Sequence, residues 1–389
     1  SIPEVVSADA PLRREFLTHV LSSLVSTPSV NPGVFEAAMA AQIAAWMAPT
    51  GARIEHVEFA PGRPSVAAVL GDGDGPRLVL NGHMDTVPVD DTSRWDSDPF
   101  EPVIRDGFLY GRGAWDMKAG LAVQIAVARA LAALGALRGS LVLHFAAGEE
   151  CGEPGTLSLL EAGYRGDYGI VTEPTQVQVS VATRGIAYYR IRIRGRSIHA
   201  SRAHLGINPL PRLARVLDAV QAYHDEVAAR HHSLLPGGSC TPTVVRGGVK
   251  ENAVADWVEL LLDRRLLPGE TVEGEMADLR RRLEALGERD PDLELSIEVM
   301  GYSFEPAEIP ADSRFAGRVA SLAAELCGRS GEICGTPYGS DVRNLVNDAG
   351  IEAITFGPGN VAECHCANER VAVDEVVDAA TVIAAVARE

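Results

Sequence analysis

A histidine and an aspartate end an apolar run near residue 80, and they are the first residues of this sequence that suggest chemistry. The stretch "LVLNGHMDTVP" occupies residues 78–88, and its first three residues are typical of a buried strand. His83 and Asp85 are two positions apart, so in an extended chain their side chains lie on one face. Taken alone, they also fit solvated polar residues at the end of a strand.

Carboxylates or a histidine occur at four further places where a predicted element ends. These stretches are "YGRGAWDMKAG", "LVLHFAAGEECG", "GIVTEPT" and "FGPGNVAECHCANE", which supply Asp116, Glu149, Glu150, Glu173 and His365. Ligand sites in open α/β sheets lie at the carboxyl ends of strands, so side chains spread over about 280 positions can converge. Two histidines and several carboxylates offer ligands for two divalent ions and leave one carboxylate to act as a base.

Each of these residues also has a structural explanation of its own. Asp116 fits the N-cap of the helix that follows it. Glu149 and Glu150 fit a solvated loop entry, and Glu173 fits a turn before a proline. The coincidence of all of them at strand ends favours a dinuclear metal site.

The elements that would hold these side chains alternate along the chain. Hydrophobic periodicity predicts helices over 12–26, 35–49 and 117–137 and short strands near 53–58, 65–70, 77–81, 141–146 and 168–172. This alternation indicates an α/β layer architecture. From about 180 to 300 the pattern changes to alternating strands around two helices, 208–230 and 270–287, and after 305 the α/β pattern returns with a helix over 312–328, a short strand "AITFG" and a last helix over 373–388. We therefore predict a catalytic domain in two parts, 1–182 and 301–389, interrupted by an inserted domain, 183–300.

Composition narrows the classes of function. The 389 residues are 46% hydrophobic and 23% charged, and the net charge of −18 argues against nucleic acid or an anionic membrane as a partner. The sequence shows no signal-peptide pattern and no long uninterrupted apolar stretch; the Ala-rich run 121–137 is interpreted as a buried helix. Six cysteines in so long a chain do not make a disulfide framework. We expect a cytoplasmic protein.

The motifs together resemble one family. "GHMDTVP", "GRGAWDMKAG", "GEECGEPG", "TEP", "IHAS", "NAVADWVELLLDRRLLPGE" and "CHCANE" occur in that order along the whole chain. They are similar to motifs of the dinuclear zinc hydrolases that include acetylornithine deacetylase, succinyl-diaminopimelate desuccinylase, aminoacylase, glutamate carboxypeptidase and several dipeptidases. The resemblance implies an aminopeptidase-like mixed sheet flanked by helices, with an inserted α+β, ferredoxin-like domain that serves as a lid and in dimerisation.

The resemblance also implies a ligand set. His83 and Glu173 would bind one metal ion, Glu150 and His365 the other, and Asp116 would bridge both. The ions are expected to be zinc, with cobalt or manganese as alternatives. Asp85 would orient the His83 ring, and the family has a cis peptide bond at the position of Asp116–Met117. The set is complete without thiolates, so Cys364 and Cys366, on either side of His365, are interpreted as simple loop or core residues.

Further roles follow from the same resemblance. Glu149 would be the general base, and His199 in "RSIHAS" would help to stabilise the oxyanion, in dimeric members from the partner subunit. Arg265 would hold a substrate carboxylate, with Asn252 near the oxyanion. Gly339 and Ser340 would line the pocket, and Arg343 would select a second acidic group.

Two residues that lie near the proposed site residues in the sequence are interpreted as structural. Arg264 would point to the opposite face of its strand from Arg265, and we predict that it is solvated. His144 lies inside the strand that leads to Glu149, and we predict a core histidine with its hydrogen bonds satisfied.

The predicted function is metal-dependent hydrolysis of the amide bond in an N-acyl amino acid, by a homodimer. A dipeptidase or carboxypeptidase of the same family is the alternative, since both cleave an amide next to a carboxylate. A binding protein without activity on the same scaffold is a third hypothesis, disfavoured because Glu149 and all the ligands are present.

Overall fold

The computed structural model describes residues 10–135, 137–360 and 366–389. The chain divides into two compact units. The first runs to Val181 and takes in Glu308–Gly335 and Ser340–Glu389, and the second comprises Ala182–Ala307 and Thr336–Gly339. The sequence-based domain boundaries stay a prediction.

The helices and strands of the described residues have the following bounds. The strands are β1 Arg53–Ala60, β2 Arg63–Leu70, β3 Arg77–His83, β4 Val103–Arg105, β5 Phe108–Tyr110, β6 Ser140–Ala146, β7 Tyr168–Val171, β8 Val179–Thr183, β9 Gly185–Arg194, β10 Ser239–Gly247, β11 Trp257–Leu266, β12 Glu294–Val299, β13 Ala307–Glu308, β14 Ile333–Thr336, β15 Glu352–Thr355 and β16 Arg370–Ala372. The α-helices are α1 Arg14–Val25, α2 Ala37–Met47, α3 Ala119–Leu134, α4 Gly155–Glu161, α5 Leu210–Ala228, α6 Val272–Gly287, α7 Arg314–Cys327 and α8 Val373–Val386.

A mixed sheet forms the centre of the first unit. Its strand order is β1-β2-β6-β3-β7-β15-β8-β13, with β14 paired to β8. The neighbours β6, β3, β7 and β15 run parallel, and β1 and β2 are antiparallel additions at one side. Strands β3 and β6 are buried almost throughout, as expected for strands covered on both faces. The predicted α/β class is confirmed, and the carboxyl ends of four strands meet at one edge.

Helix α3 packs closely against this sheet. It is Ala-rich, it ends at Gly135 in the left-handed conformation, and most of its residues are buried. A Cβ on Gly120 would stand 2.2 Å from the Thr172 carbonyl oxygen, and one on Gly82 would stand 2.5 Å from Met117 Cε. Glycine at both positions therefore permits the close approach. The helical run Ala114–Leu134 is long and apolar enough to cross a membrane, but 78% of its most apolar window is buried inside the protein.

The second unit has the order β9-α5-β10-β11-α6-β12, and its antiparallel sheet has the strand order β10-β11-β9-β12. This is the βαββαβ arrangement of ferredoxin-like domains, as predicted. The helices cover one sheet face with a core that includes Tyr189, Ile191, Val220 and Leu260. The other face carries arginines of β9 that pair with glutamates of β11 and β12.

The prediction that Arg264 is solvated is wrong. Its side chain is fully buried, because the face of β11 opposite Arg265 is the one that the helices cover. Its guanidinium donates to the Tyr223 hydroxyl at 3.0 Å and to carboxylate oxygens of Glu270 and Glu275 at 2.8 and 2.7 Å. Two carboxylates compensate the buried positive charge, as a buried ion requires.

His144 lies in the middle of β6, and the prediction of a satisfied core histidine is confirmed. It is fully buried; Nε2 lies 2.8 Å from the Tyr164 carbonyl oxygen, and Nδ1 lies 3.4 Å from the Asn81 amide nitrogen. The ring therefore donates to the carbonyl and is neutral. Burial lowers the pKa of His144 to about 4.

This pKa shift predicts a loss of stability in acid. The unfolded chain binds a proton at His144 below about pH 6.5, whereas the folded protein does so only near pH 4. The free energy of unfolding should therefore fall by about 3 kcal/mol from this residue alone as the pH drops through that window. Chemical denaturation of wild type and His144→Gln at several pH values measures the difference. An equal pH dependence in both proteins would contradict it.

Candidate metal centre

Two of the predicted ligands lie at the ends of neighbouring parallel strands. His83 is the last residue of β3, and the register pairs Asn81 with Val171 of β7, two residues before Glu173. His83 Nε2 lies 3.3 Å from a Glu173 carboxylate oxygen and 3.0 Å from an Asp116 carboxylate oxygen. One ligand atom from each of the three residues lies within 4.8 Å of the others. The arrangement provides one imidazole nitrogen and two carboxylates, a donor set suited to a divalent ion.

The ring of His83 is held by its other nitrogen. His83 Nδ1 lies 2.9 Å from the backbone carbonyl oxygen of Asp85 and 3.4 Å from its carboxylate. A carbonyl only accepts, so this contact keeps a proton on Nδ1, and the proton that a metal ion displaces is the one on Nε2, which faces Asp116 and Glu173. The resulting tautomer ligates a metal through Nε2.

Asp116 lies in a distorted turn before α3. The Asp116–Met117 peptide bond is cis, as the family resemblance predicts. The backbone N–H groups of Trp115 and Asp116 both donate to one carboxylate oxygen of Glu369, at 2.9 and 3.0 Å. The other oxygen of Glu369 accepts from Arg112 at 2.6 Å. Glu369 and Arg112 are both buried, so a compensated ion pair holds the backbone that carries Asp116.

Glu149 and Glu150 lie in a tight turn after β6. The turn begins with Gly148 at φ +82°, a conformation that favours glycine. The Asp85 carboxylate accepts from three successive backbone N–H groups, of Gly148, Glu149 and Glu150, each at 3.1 Å. Glu149 is buried, and its carboxylate lies 4.0 Å from His83 Nε2. A single side chain therefore fixes the turn that carries the predicted base and one predicted ligand.

The charges in this cluster favour a cation. Burial would lower the pKa of His83, but the charge of Glu173 and hydrogen bonds with Asp116 and Asp85 outweigh it and raise that pKa well above its usual value. Burial and the charge of Asp116 raise the pKa of Glu173 to about 7. Burial, with contributions from neighbouring carboxylates, raises the pKa of Glu149 well above its usual value. Divalent ions would relieve this excess of negative charge, so the residues fit metal binding.

The ligands predicted for the second ion are not all described by the structure. His365 and Cys364 lie outside the described residues, and Glu150 is not part of the three-residue cluster. Cys366 is exposed, and Trp115 is buried beside Asp116.

The second unit carries three of the residues predicted to act on substrate. His199 and Asn252 are exposed, and a β-bridge between His199 and Ala253 brings their two segments together. His199 Nδ1 accepts from the backbone N–H of Ser201. Arg265 is half-buried and donates two hydrogen bonds to Asp263, at 2.7 and 3.0 Å.

The segment 339–343 contains the predicted pocket residues Gly339, Ser340 and Arg343. A Cβ on Gly339 would stand 2.0 Å from the Phe304 ring, so the position requires glycine. Ser340 is fully buried, and its carbonyl oxygen accepts from the Arg343 guanidinium at 2.9 Å.

Comparison with known proteins shows the family of this chain. Residues 79–389 match the description "Peptidase family M20/M25/M40". The chain belongs to this family.

Two curated relatives and one solved structure illustrate the M20 likeness. The chain is 32% identical over 366 residues to a succinyl-diaminopimelate desuccinylase of Azoarcus sp., covering 91% of this chain and 92% of the relative. It is 27% identical over 369 residues to an N-formyl-4-amino-5-aminomethyl-2-methylpyrimidine deformylase of Bacillus subtilis, covering 88% and 86%. The aminopeptidase PepT of Bacillus cereus has a similar fold, with a TM-score of 0.79 at 22% identity over 97% of this chain and 99% of that one.

Membership of the M20 family makes this protein a metal-dependent hydrolase of the metallopeptidase and amidohydrolase type. The cluster of His83, Asp116 and Glu173 supplies the corresponding metal-binding group.

Several supporting residues of this M20 protein escaped the sequence analysis. Glu369 belongs to the quoted motif "CHCANE", and Arg112 to "YGRGAWDMKAG", so position within a motif was the available signal. Lys118 is fully buried and donates to the carbonyl oxygens of Leu24 and Thr27 at 3.0 and 2.9 Å. Lys118 belongs to the same motif as Arg112, but a lysine in a helical pattern is normally exposed, so its burial was not predicted.

Proton release should accompany metal binding at this centre. Below pH 7 a divalent ion must displace protons from His83 and Glu173, whose pKa values are raised in the metal-free protein. Zinc affinity should therefore rise between pH 6 and 8, by roughly tenfold per pH unit for each proton displaced. Titration calorimetry in buffers of different protonation enthalpy counts these protons. An affinity independent of pH, with no proton released, would contradict the prediction.

Proposed function

We propose that this protein removes the acyl group from an N-acyl amino acid, using two divalent metal ions, zinc in the first instance. The observation that carries the proposal is the cluster of His83, Asp116 and Glu173, in which His83 and Glu173 are buried and Asp116 is half-buried, with the Glu149 carboxylate 4.0 Å from the His83 ring. Glu150 and His365 would complete the proposed ligand set, and Asp116 would be a ligand of both ions. Bound divalent ions would lower the pKa of an attacking water and polarise the scissile carbonyl.

Glu149 acts as the general base in this proposal. Its carboxylate accepts a proton from the attacking water and passes it to the nitrogen of the leaving amine. Burial raises its pKa well above the usual value, in the direction that a base working near neutral pH requires. Asp85 holds the backbone N–H of Glu149, so the carboxylate approaches the reaction from a fixed turn.

Arg265, His199 and Asn252 are proposed to act on the substrate. Arg265 would hold the substrate carboxylate through parallel hydrogen bonds, in exchange for part of its pairing with Asp263. His199 would donate to the oxyanion, and Asn252 lies on the neighbouring segment. Gly339, Ser340 and Arg343 would line the acyl side of the pocket.

The deacylase is preferred to the peptidase. The two relatives compared above, at 32% and 27% identity, are named a desuccinylase and a deformylase. The aminopeptidase likeness, at 22% identity, concerns the fold alone. A peptidase that binds a free substrate amine needs an acidic partner for it, and no such residue stands out in the sequence.

A substrate panel tests the proposal. Zinc- or cobalt-loaded protein should release amine from N-formyl, N-acetyl or N-succinyl amino acids and not from dipeptides. Glu149→Gln should lower kcat by about 10²- to 10⁴-fold with unchanged metal content, because the proton acceptor is lost while the ligands remain. Glu161→Gln, at an exposed position in α4, is the matched control. Turnover of dipeptides alone would favour the peptidase, and full activity of Glu149→Gln would refute the assigned base.

We further propose a homodimer in which His199 serves the partner's site. Glu149→Ala and His199→Ala should then each be inactive, but a heterodimer of the two contains one intact site. Random mixing should restore about a quarter of wild-type activity. Light scattering establishes the dimer beforehand. A fully active monomer, or no recovery in a proven heterodimer, would refute the exchange.

A further inference from the structure

The side-chain amide of Asn31 lies between two carboxylates beside the metal centre. Asn31 is buried, and its Nδ2 donates to Asp85 Oδ2 and to Glu153 Oε2, both at 3.0 Å. An amide NH₂ group has two protons, so each carboxylate receives one. Asp85 is the residue that binds the backbone of the Glu149–Glu150 turn.

Glu153 is held in turn by Arg63. The Arg63 guanidinium donates to both Glu153 oxygens, at 2.8 and 2.5 Å, and to both Glu36 oxygens, each at 2.8 Å. Glu36 is fully buried, and Arg63 is nearly so. A compensated, hydrogen-bonded ion pair of this kind fixes geometry, because each partner would be costly to leave alone.

The backbone around Asn31 is also anchored to the strand end that carries the site. Asn31 N–H donates to the Thr86 carbonyl oxygen at 2.9 Å, and Thr86 N–H donates to the Ser29 carbonyl oxygen at 3.1 Å. The Ser29 hydroxyl donates to the Met84 carbonyl oxygen at 2.6 Å. Residues 29–31 therefore run alongside 84–86 as a short parallel addition, although they precede the segment 79–389 that matches the family.

We infer that Asn31 is a positioning residue, which sets the Asp85 carboxylate and through it the turn that carries Glu149 and Glu150. Without the Asn31 amide, the Asp85 and Glu153 carboxylates face each other with no donor between them. Asp85 would then turn away from Glu153 and release backbone N–H groups of the turn. The inference rests on the roles proposed above for Glu149 and Glu150.

Asn31→Leu tests the inference, since leucine has a similar volume and no donor. Cobalt titration followed by visible absorption should show one of two equivalents bound about 10- to 100-fold more weakly, as for other residues that orient metal ligands. The kcat on the best panel substrate should fall by a similar factor with KM nearly unchanged, since both protons of the Asn31 amide are used by Asp85 and Glu153. A wild-type cobalt titration together with a wild-type kcat would overturn the inference.

Gln42→Leu is the matched control, because Gln42 Nε2 donates to the Ser23 carbonyl and hydroxyl oxygens, at 3.0 and 2.6 Å, with no contact to the metal cluster. It should lower Tm to a similar degree and leave cobalt binding and kcat unchanged; equal losses in both variants would overturn the inference.

Asn31→Asp keeps the shape but adds a third carboxylate, so it should impair cobalt binding more than Asn31→Leu, and it serves if the leucine variant does not fold. Wild-type protein that binds cobalt but hydrolyses nothing would refute the proposed function alone, since the titration still tests Asn31.

Discussion

Mutual repulsion among buried carboxylates is the constraint around which this structure is organised. Asp116, Glu149 and Glu173 crowd against His83 at one edge of a sheet, where Glu149 and Glu173 are buried and Asp116 is half-buried. Like charges at such distances disfavour ionisation unless a cation or a positive side chain compensates them. The fold therefore has to hold these groups together against repulsion, and a bound metal ion would supply the compensation.

The fold meets this constraint through the backbone. Asp85 and Glu369 are carboxylates outside the three-residue cluster, and each accepts successive backbone N–H groups of a segment that carries a proposed ligand. Each is then oriented by a donor, Asn31 for Asp85 and Arg112 for Glu369. Such contacts set the path of the chain through the backbone, so the positions of the proposed ligands do not depend on their own side chains alone. Rigid support of this kind is what a precisely placed site needs.

Much of the fold could be predicted from periodicity, because burial imposes a repeat that the sequence must carry. The helices Arg14–Val25, Ala37–Met47 and Leu210–Ala228 begin and end within about two residues of the predicted bounds, as expected of local patterns. The change to alternating strands and helices after about residue 180 indicated a separate α+β region, whereas its ferredoxin-like order was implied by the family resemblance. Short strands such as Val103–Arg105 and Phe108–Tyr110 were not predicted, because three residues are too few to show a hydrophobic period. Arg264 shows the limit of the method: alternation says that two faces differ, but not which of them a helix covers.

The sequence by itself determined the chemical types and their placement at element ends. His83, Asp116, Glu149 and Glu173 each follow or precede a strongly apolar segment, and the ordered motifs around them indicated the family and the class of reaction. Only the tertiary structure decided which atoms meet. The parallel register aligns β3 with β6 and β7. Hydrogen bonds join Asn31 to Asp85, 54 positions apart in the sequence, and Arg112 to Glu369, 257 positions apart. These partners have no local signal, because a hydrogen bond between distant segments depends on how the strands and helices pack and not on the residues beside it.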